Sequence, residues 1–353
     1  MDKPPGLDDR GLSGLRPPRK QPDALDLLSI VEACYDLEGD DRAWLTRIAK
    51  AAGAIIDDGL GIAAMLYGGD TLRDTRITDV TYDRGFPIEQ LKCFRARSGQ
   101  TERTVGTRPV SLESWFDRSC GLVHAIEGLE AFTAALPELG ARDLYAINGR
   151  DTTGFGVWIG APLRSVGKVE RRVDALWTRV AAHLAAGYRL RRALAANSAP
   201  SEAWLTPDGV VVERLSSLET ADVSLLRRAV VAIDRARTHE GRADIDQATR
   251  AWTGLVRARW TLVDEFNAGG SRYVVARKND GVASSTAELT QREQMVLGLA
   301  SLERSNKVIA YELGLSASTV RVLFARAAAK LGVKHRDDAI ARYRALNGTP
   351  RDD

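Results

Sequence analysis

The stretch from Leu289 to Tyr343 constrains this chain more than any other, because its helix boundaries are written in single residues. Thr290 followed three places later by Glu293 is a capping box, in which the hydroxyl satisfies one free backbone N–H and the carboxylate reaches back to another. Val296, Leu297, Leu299 and Ala300 then supply the buried stripe of a first helix. Ser305 caps a second helix, which carries Ile309, Ala310 and Leu313 and stops at Gly314, whose missing side chain permits the left-handed backbone of a helix C-terminus. Ser316 caps a third. Only Leu313-Gly314-Leu315 separates the second from the third, so the two must turn sharply on each other, as in a helix-turn-helix.

In such a motif the later helix lies in the major groove of DNA, and its N-terminal side chains face the base edges. Here that helix displays Ser318, Thr319, Arg321, Val322, Ala325 and Arg326, and buries Val320, Leu323 or Phe324, and Leu331. An arginine can offer two donors to a guanine edge, Val322 can touch a thymine methyl, and hydroxyls beside free N–H groups suit phosphate. The charge distribution points the same way. Residues 287–353 hold eleven basic and eight acidic side chains, which accounts for the whole net charge of +3 in a chain otherwise balanced.

The segment resembles the C-terminal DNA-binding domain of the LuxR/GerE class of bacterial transcription regulators. The resemblance is carried by Leu289-Thr290, Arg292-Glu293, Val296-Leu297, Ser305-Asn306-Lys307, Ile309-Ala310, Leu313, Leu315-Ser316, Thr319-Val320-Arg321 and Lys330-Leu331-Gly332-Val333, continued by Arg336 and Ala339-Ile340. It implies a DNA-binding set of Ser305, Asn306, Lys307, Ser316, Ser318, Thr319, Arg321, Val322, Ala325 and Arg326. Arg321 and Val322 hold the family's recognition positions, whereas Lys307, Ser318, Thr319 and Arg326 are candidates for phosphate. Leu323 and Ala325 depart from the family pattern, which commonly has His and a second basic residue there, so direct base readout is expected to be thin. A fourth helix, Arg336 to Leu346, is expected to expose Ala339, Ile340, Tyr343 and Leu346 as a stripe that pairs two copies, so that a homodimer reads an inverted repeat. The alternative is that the stripe packs on its own domain.

The remaining 280 residues or so read as a multidomain α+β arrangement. At 353 residues the chain exceeds what one core usually serves. Residues 1–22 read as a disordered arm without the apolar segment of a secretory signal. Residues 23–198 alternate helices with strand-like hairpins: helices broken at Glu38 to Asp41, strands at Ile62–Tyr67 and Arg76–Tyr82, a mostly helical stretch from Pro87 to Leu139, and strands at Leu144–Asn148 and Phe155–Ala161. A long helix from about Lys168 to Leu194 ends this part. Its apolar positions Val169, Val173, Leu176, Val180, Leu190 and Leu194 follow a heptad seam interrupted by His183 and Gly187. Either an amphipathic helix covering a sheet or a dimeric signalling helix fits that pattern. Residues 199–280 repeat the theme on a smaller scale, with helices expected at Ala221–Arg237 and Ile245–Arg259 between two hairpins. The first part is similar to a GAF-type sensor domain and the second to a PAS-like module; a polar linker, Asn279 to Ala287, leads to the four-helix all-α domain at 288–347.

Sharper chemistry fails on spacing. Ile55-Ile56-Asp57-Asp58 lacks the strand context of a phosphoreceiver, Gly160 to Lys168 has too many residues between its glycines for a P-loop, and Gly154, Gly156 and Gly160 miss the dinucleotide fingerprint. Cys120 and His124 would share a helix face, yet nothing near them completes a redox or haem site. Three Cys and four His are too scattered for a zinc site. Trp115, Tyr145 and Trp158 read as core aromatics, and the ligand constellation of acyl-homoserine-lactone sensors cannot be placed. The expectation is therefore a cytoplasmic, nucleoid-associated regulator with no cofactor, no metal and no membrane segment. It is not an enzyme; it binds double-stranded DNA and senses a small molecule or a regulatory protein. The alternative is an N-terminal region that binds no ligand and serves as a protein-interaction and dimerisation platform.

Overall fold

The computed structural model describes residues 24–68, 76–86, 119–126, 133–134, 136–168, 171–196, 199–252, 254–256, 259–266, 269–279 and 289–346. The expected arm at 1–22, the tract 87–118, Trp115 and residues 280–287 of the expected linker lie outside them. No single helix among the described residues is long and apolar enough to cross a membrane.

Two helices, α1 (Ala24–Tyr35) and α2 (Asp41–Ile56), precede the first sheet. The Asp40 side chain accepts from the Ala43 amide at 2.8 Å and so starts α2 where the sequence breaks the apolar pattern. The sheet comprises β1 (Ile62–Gly68), β2 (Arg76–Asp83), β3 (Cys120–Leu122), β4 (Asp143–Arg150) and β5 (Gly156–Leu163), in the order β2-β1-β5-β4-β3. All of its pairings are antiparallel. Alternation along the strands buries both faces. Ile62, Ala64, Leu66, Tyr145, Ile147, Val157 and Ile159 join one core with α1 and α2, whereas Ala63, Tyr67, Leu144, Ala146 and Trp158 meet Val123, Ile126, Leu136 and Leu139 on the other side.

The long helix α3 (Arg171–Ala195) settles the two readings of its seam. Leu176, Val180, His183 and Leu190 are all buried, the three apolar ones inside the core shared with the sheet, so the stripe is used within one chain. The two positions that break the heptad are close contacts: a side chain at Gly187 would meet the Cys34 carbonyl at 2.3 Å, so the glycine lets the end of α1 approach.

The second sheet comprises β6 (Ser201–Leu205), β7 (Val211–Arg214), β8 (Leu255–Val256), β9 (Trp260–Phe266) and β10 (Arg272–Lys278), in the order β7-β6-β10-β9-β8. Between β7 and β8 run α4 (Thr220–Arg237), α5 (His239–Arg242) and α6 (Ile245–Ala251). One buried cluster extends from Leu27 through Trp177 to Val230, Trp260 and Ala276, so both sheets share a continuous core.

Two expected helices are corrected. The one drawn from Ile245 to Arg259 stops at Ala251, because the chain must turn at Gly254, where a Cβ would lie 2.1 Å from the Tyr35 hydroxyl, and Leu255-Val256 then pairs with β9. Cys120 belongs to a strand that pairs with β4, and His124 to the short 3-10 turn after it, so they share no helix face. His124 instead joins Nδ1 to the buried Asp143 at 2.5 Å.

Candidate nucleic-acid interface

Helices α7 (Gln291–Ser301), α8 (Asn306–Glu312), α9 (Ala317–Lys330) and α10 (Arg336–Leu346) form the C-terminal part. The capping box at its start is complete: the Thr290 amide donates to Glu293 Oε2 at 2.8 Å, and the Glu293 amide to Thr290 Oγ1 at 3.4 Å. Lys330 at the far end of α9 donates to the same Glu293 oxygen at 2.7 Å. Burial disfavours the charged carboxylate, but the Lys330 ammonium and the Thr290 donors outweigh it and hold the Glu293 carboxyl below its usual range.

Serines open both helices of the motif. Ser305 Oγ accepts from the Val308 amide at 3.4 Å, and Ser316 Oγ from the Thr319 amide at 3.0 Å. Between them Gly314 takes φ +61°, and the Leu315 amide closes back on the Ala310 carbonyl at 2.8 Å. The two helices cross at 104°. Val320 and Ala327 anchor α9 in the domain core, with Leu323, Phe324 and Leu331 half-buried against it.

The outer face of α9 is solvated. Ser316, Ser318, Thr319, Arg321, Ala325 and Arg326 are exposed, and Val322 shows 49% of its surface. Lys307 is exposed on α8. Ser305 acts as a cap, and Asn306 is held from inside the domain, because Arg336 donates to its Oδ1 at 2.8 Å, donates to the Arg304 carbonyl at 3.0 Å and stacks over Phe324.

Helix α10 corrects the expectation of an exposed pairing stripe. Ala339 is fully buried, and Ile340 and Tyr343 are half-buried against α7 and α9, because their turn of the helix faces back onto the apolar side of α7. Leu346 alone of the four is exposed, at 45%.

Two grooves adjoin α9, each with three basic side chains in its lining. One, of about 680 Å³, is lined by Asn306, Arg321, Phe324, Lys334 and Arg336 among others. The other, of about 710 Å³, runs between the start of α9 and the second module and is lined by Arg228, Arg250, Arg292, Leu315, Ser316 and Thr319 among others.

Helix α8 turns its other side to the N-terminal region, a contact no local pattern announces. Tyr311 Oη donates to the Thr249 carbonyl at 2.9 Å and lies 2.8 Å from His183 Nε2. With its proton committed to Thr249, Tyr311 must accept from His183, which places the proton on Nε2 and leaves Nδ1 to accept from Tyr35 Oη at 2.8 Å. Burial without a counter-charge lowers the His183 pKa from 6.5 to about 3, so the ring is neutral. Arg304 adds a second tie, donating to Ser119 Oγ and lying 3.5 Å from the buried Glu312. Leu255 completes the contact by packing into the apolar cluster of Val296, Ile309 and Leu313.

Two capped helices at this angle, with an exposed polar face on the later one, define a helix-turn-helix of the kind that enters DNA. Residues 287–343 match the family described as GerE, bacterial regulatory proteins of the luxR family, and this part of the chain is a luxR-type DNA-binding domain. Such a domain implies a DNA-binding transcription regulator. Among solved structures, a crystal structure of Escherichia coli SdiA is similar over 88% of this chain and 93% of its own, at 10% identity and a TM-score of 0.32. SdiA in complex with octanoyl-rac-glycerol is similar over 93% and 90%, at 9% identity and a TM-score of 0.24.

Proposed function

We propose that this chain is a sequence-specific, DNA-binding transcription regulator that inserts α9 into the major groove and carries a signal from its N-terminal region through α3 to the DNA-binding domain. Arg321 and Val322 read base edges; Ser316, Ser318, Thr319, Arg326 and Lys307 position the phosphates. The observation that carries this reading is the exposed face of α9, adjoined by two grooves that each hold three basic side chains, since a helix in the major groove lies close to phosphate strands. Two copies bind an inverted repeat, with Leu346 at the end of α10 left to contribute to pairing.

The signal is a small molecule or a protein. Both faces of the first sheet are packed with buried side chains among the described residues, which favours the reading of the N-terminal region as a protein-interaction platform. The test is selection of duplexes from a random pool by the full-length chain, followed by native mass spectrometry of the complex. Enrichment of an inverted repeat bound by two chains is expected; a pool that stays random after several rounds would sink the proposal.

A further inference from the structure

The groove beside the start of α9 has two walls. Arg292, Leu315, Ser316 and Thr319 belong to the DNA-binding domain, but Arg228 of α4 and Arg250 of α6 come from the second module. All three arginines are exposed, and Arg250 retains 67% of its side-chain surface. Among the described residues no acidic side chain lines the groove. Asp246 lies 3.9 Å from Arg250 and is also held at 3.1 Å by Arg179, so it neutralises Arg250 only in part. It opens directly onto Ser316 and Thr319, so it continues the surface assigned to DNA in the proposal above.

From this placement we infer that the second module is part of the DNA-binding surface: Arg228 and Arg250, together with Arg292, hold one phosphodiester strand flanking the groove in which α9 lies. The inference rests on the DNA-binding reading above and extends it. Charge selects the occupant, because three guanidiniums from three helices match the spaced charges of a nucleic-acid backbone and offer no discrimination among bases. The consequence is that the docked arrangement of the N-terminal region on the DNA-binding domain is itself competent to bind. Docking of the second module adds phosphate contacts instead of covering the recognition helix.

The experiment measures binding of the full-length chain to a fluorescent duplex carrying the selected site, and to a random duplex, at several salt concentrations. The variants are the double substitution Arg228→Ala with Arg250→Ala, the double substitution Arg228→Lys with Arg250→Lys, and Arg321→Ala. Each phosphate contact contributes roughly 0.9 to the slope of log affinity against log salt, so the double alanine variant should lose about 1.8 of that slope. It should weaken both duplexes by a similar factor, and the lysine pair should keep the wild-type slope. An unchanged slope and affinity in the double alanine variant, with Arg321→Ala still weakening the selected site, overturns the inference and leaves the DNA-binding reading standing. If Arg321→Ala also changes nothing, both fall. Equal urea midpoints for wild type and the double alanine variant establish that the exposed substitutions left the fold intact.

Discussion

Helices α8 and α9 are the two halves of one motif, each opened by a serine cap, yet their outward faces are built on opposite terms. The side of α8 turned to the N-terminal region is closed: Tyr311 is bonded to His183 and Thr249, and nearby Arg304 to Ser119. On α9 the outward Arg321 and Arg326 are exposed, and the hydroxyls of Ser316, Ser318 and Thr319 bond within the first turn of their own helix, Ser316 also accepting from the Thr319 amide. The half that must hold its position has directional bonds. The half that must exchange water for another molecule does not.

Several substitutions would break or sharpen that contrast. Arg321→Ala, on the open face, should weaken binding to the selected duplex by about 1 to 3 kcal/mol and relax specificity, with the urea midpoint unchanged. Fluorescence anisotropy on matched and scrambled duplexes checks it, and equal losses on both would remove Arg321 from the base-reading role.

The closed face predicts a pH dependence. The His183 pKa is depressed in the folded state to about 3, so its contribution is fully present above the unfolded value of 6.5 and is lost as pH falls through the window below it. Between pH 6.5 and about pH 5 the unfolded imidazole binds a proton that the buried one refuses, a loss of about 1.5 to 2 kcal/mol. Urea titrations at the two pH values should show this fall, and His183→Gln should flatten it. A wild-type midpoint constant over that range would mean that the histidine is not buried against Tyr311.

Ser316→Ala removes the cap of α9 and should cost about 1 kcal/mol of stability, read as a lowered thermal midpoint. The smallest effect is expected from Lys307→Ala, which should reduce the salt slope of binding by about 0.9 on every duplex alike and leave specificity untouched. A sequence-selective loss would place Lys307 near a base.

How much of this was legible in the sequence follows from the range of each interaction. The boundaries of α7, α8 and α9 were readable because Thr290, Glu293, Ser305, Gly314 and Ser316 act on backbone groups only a few residues away. Periodicity found the apolar face of α3 and α10 but could not say what each face meets. For α3 that was the sheet and α1, with Gly187 as a close approach; for α10 it was α7, which took Ala339 and Tyr343 inward. The strand at Leu255-Val256 was missed because the residue that clears space for the turn, Gly254, answers to Tyr35, more than two hundred positions earlier. At the candidate interface the side chains of α9 were readable, whereas Arg228 and Arg250 carry no local mark and are recognised only by the groove they share with Ser316.

The hydrogen-bond relay from Tyr35 through His183 and Tyr311 to Thr249 has a polarity, since Tyr35 donates to Nδ1, Nε2 donates to Tyr311, and Tyr311 donates to the Thr249 carbonyl. Pulling α8 away removes the acceptor from His183 Nε2 and the donor from Thr249 in one event, while Leu255 loses its apolar neighbours. A partly detached domain would leave those groups without their partners, which disfavours intermediate positions. On the function proposed above, a signal carried by α3 would act on the DNA-binding domain as a toggle with two settings, its output a fraction of molecules switched and not a graded tilt.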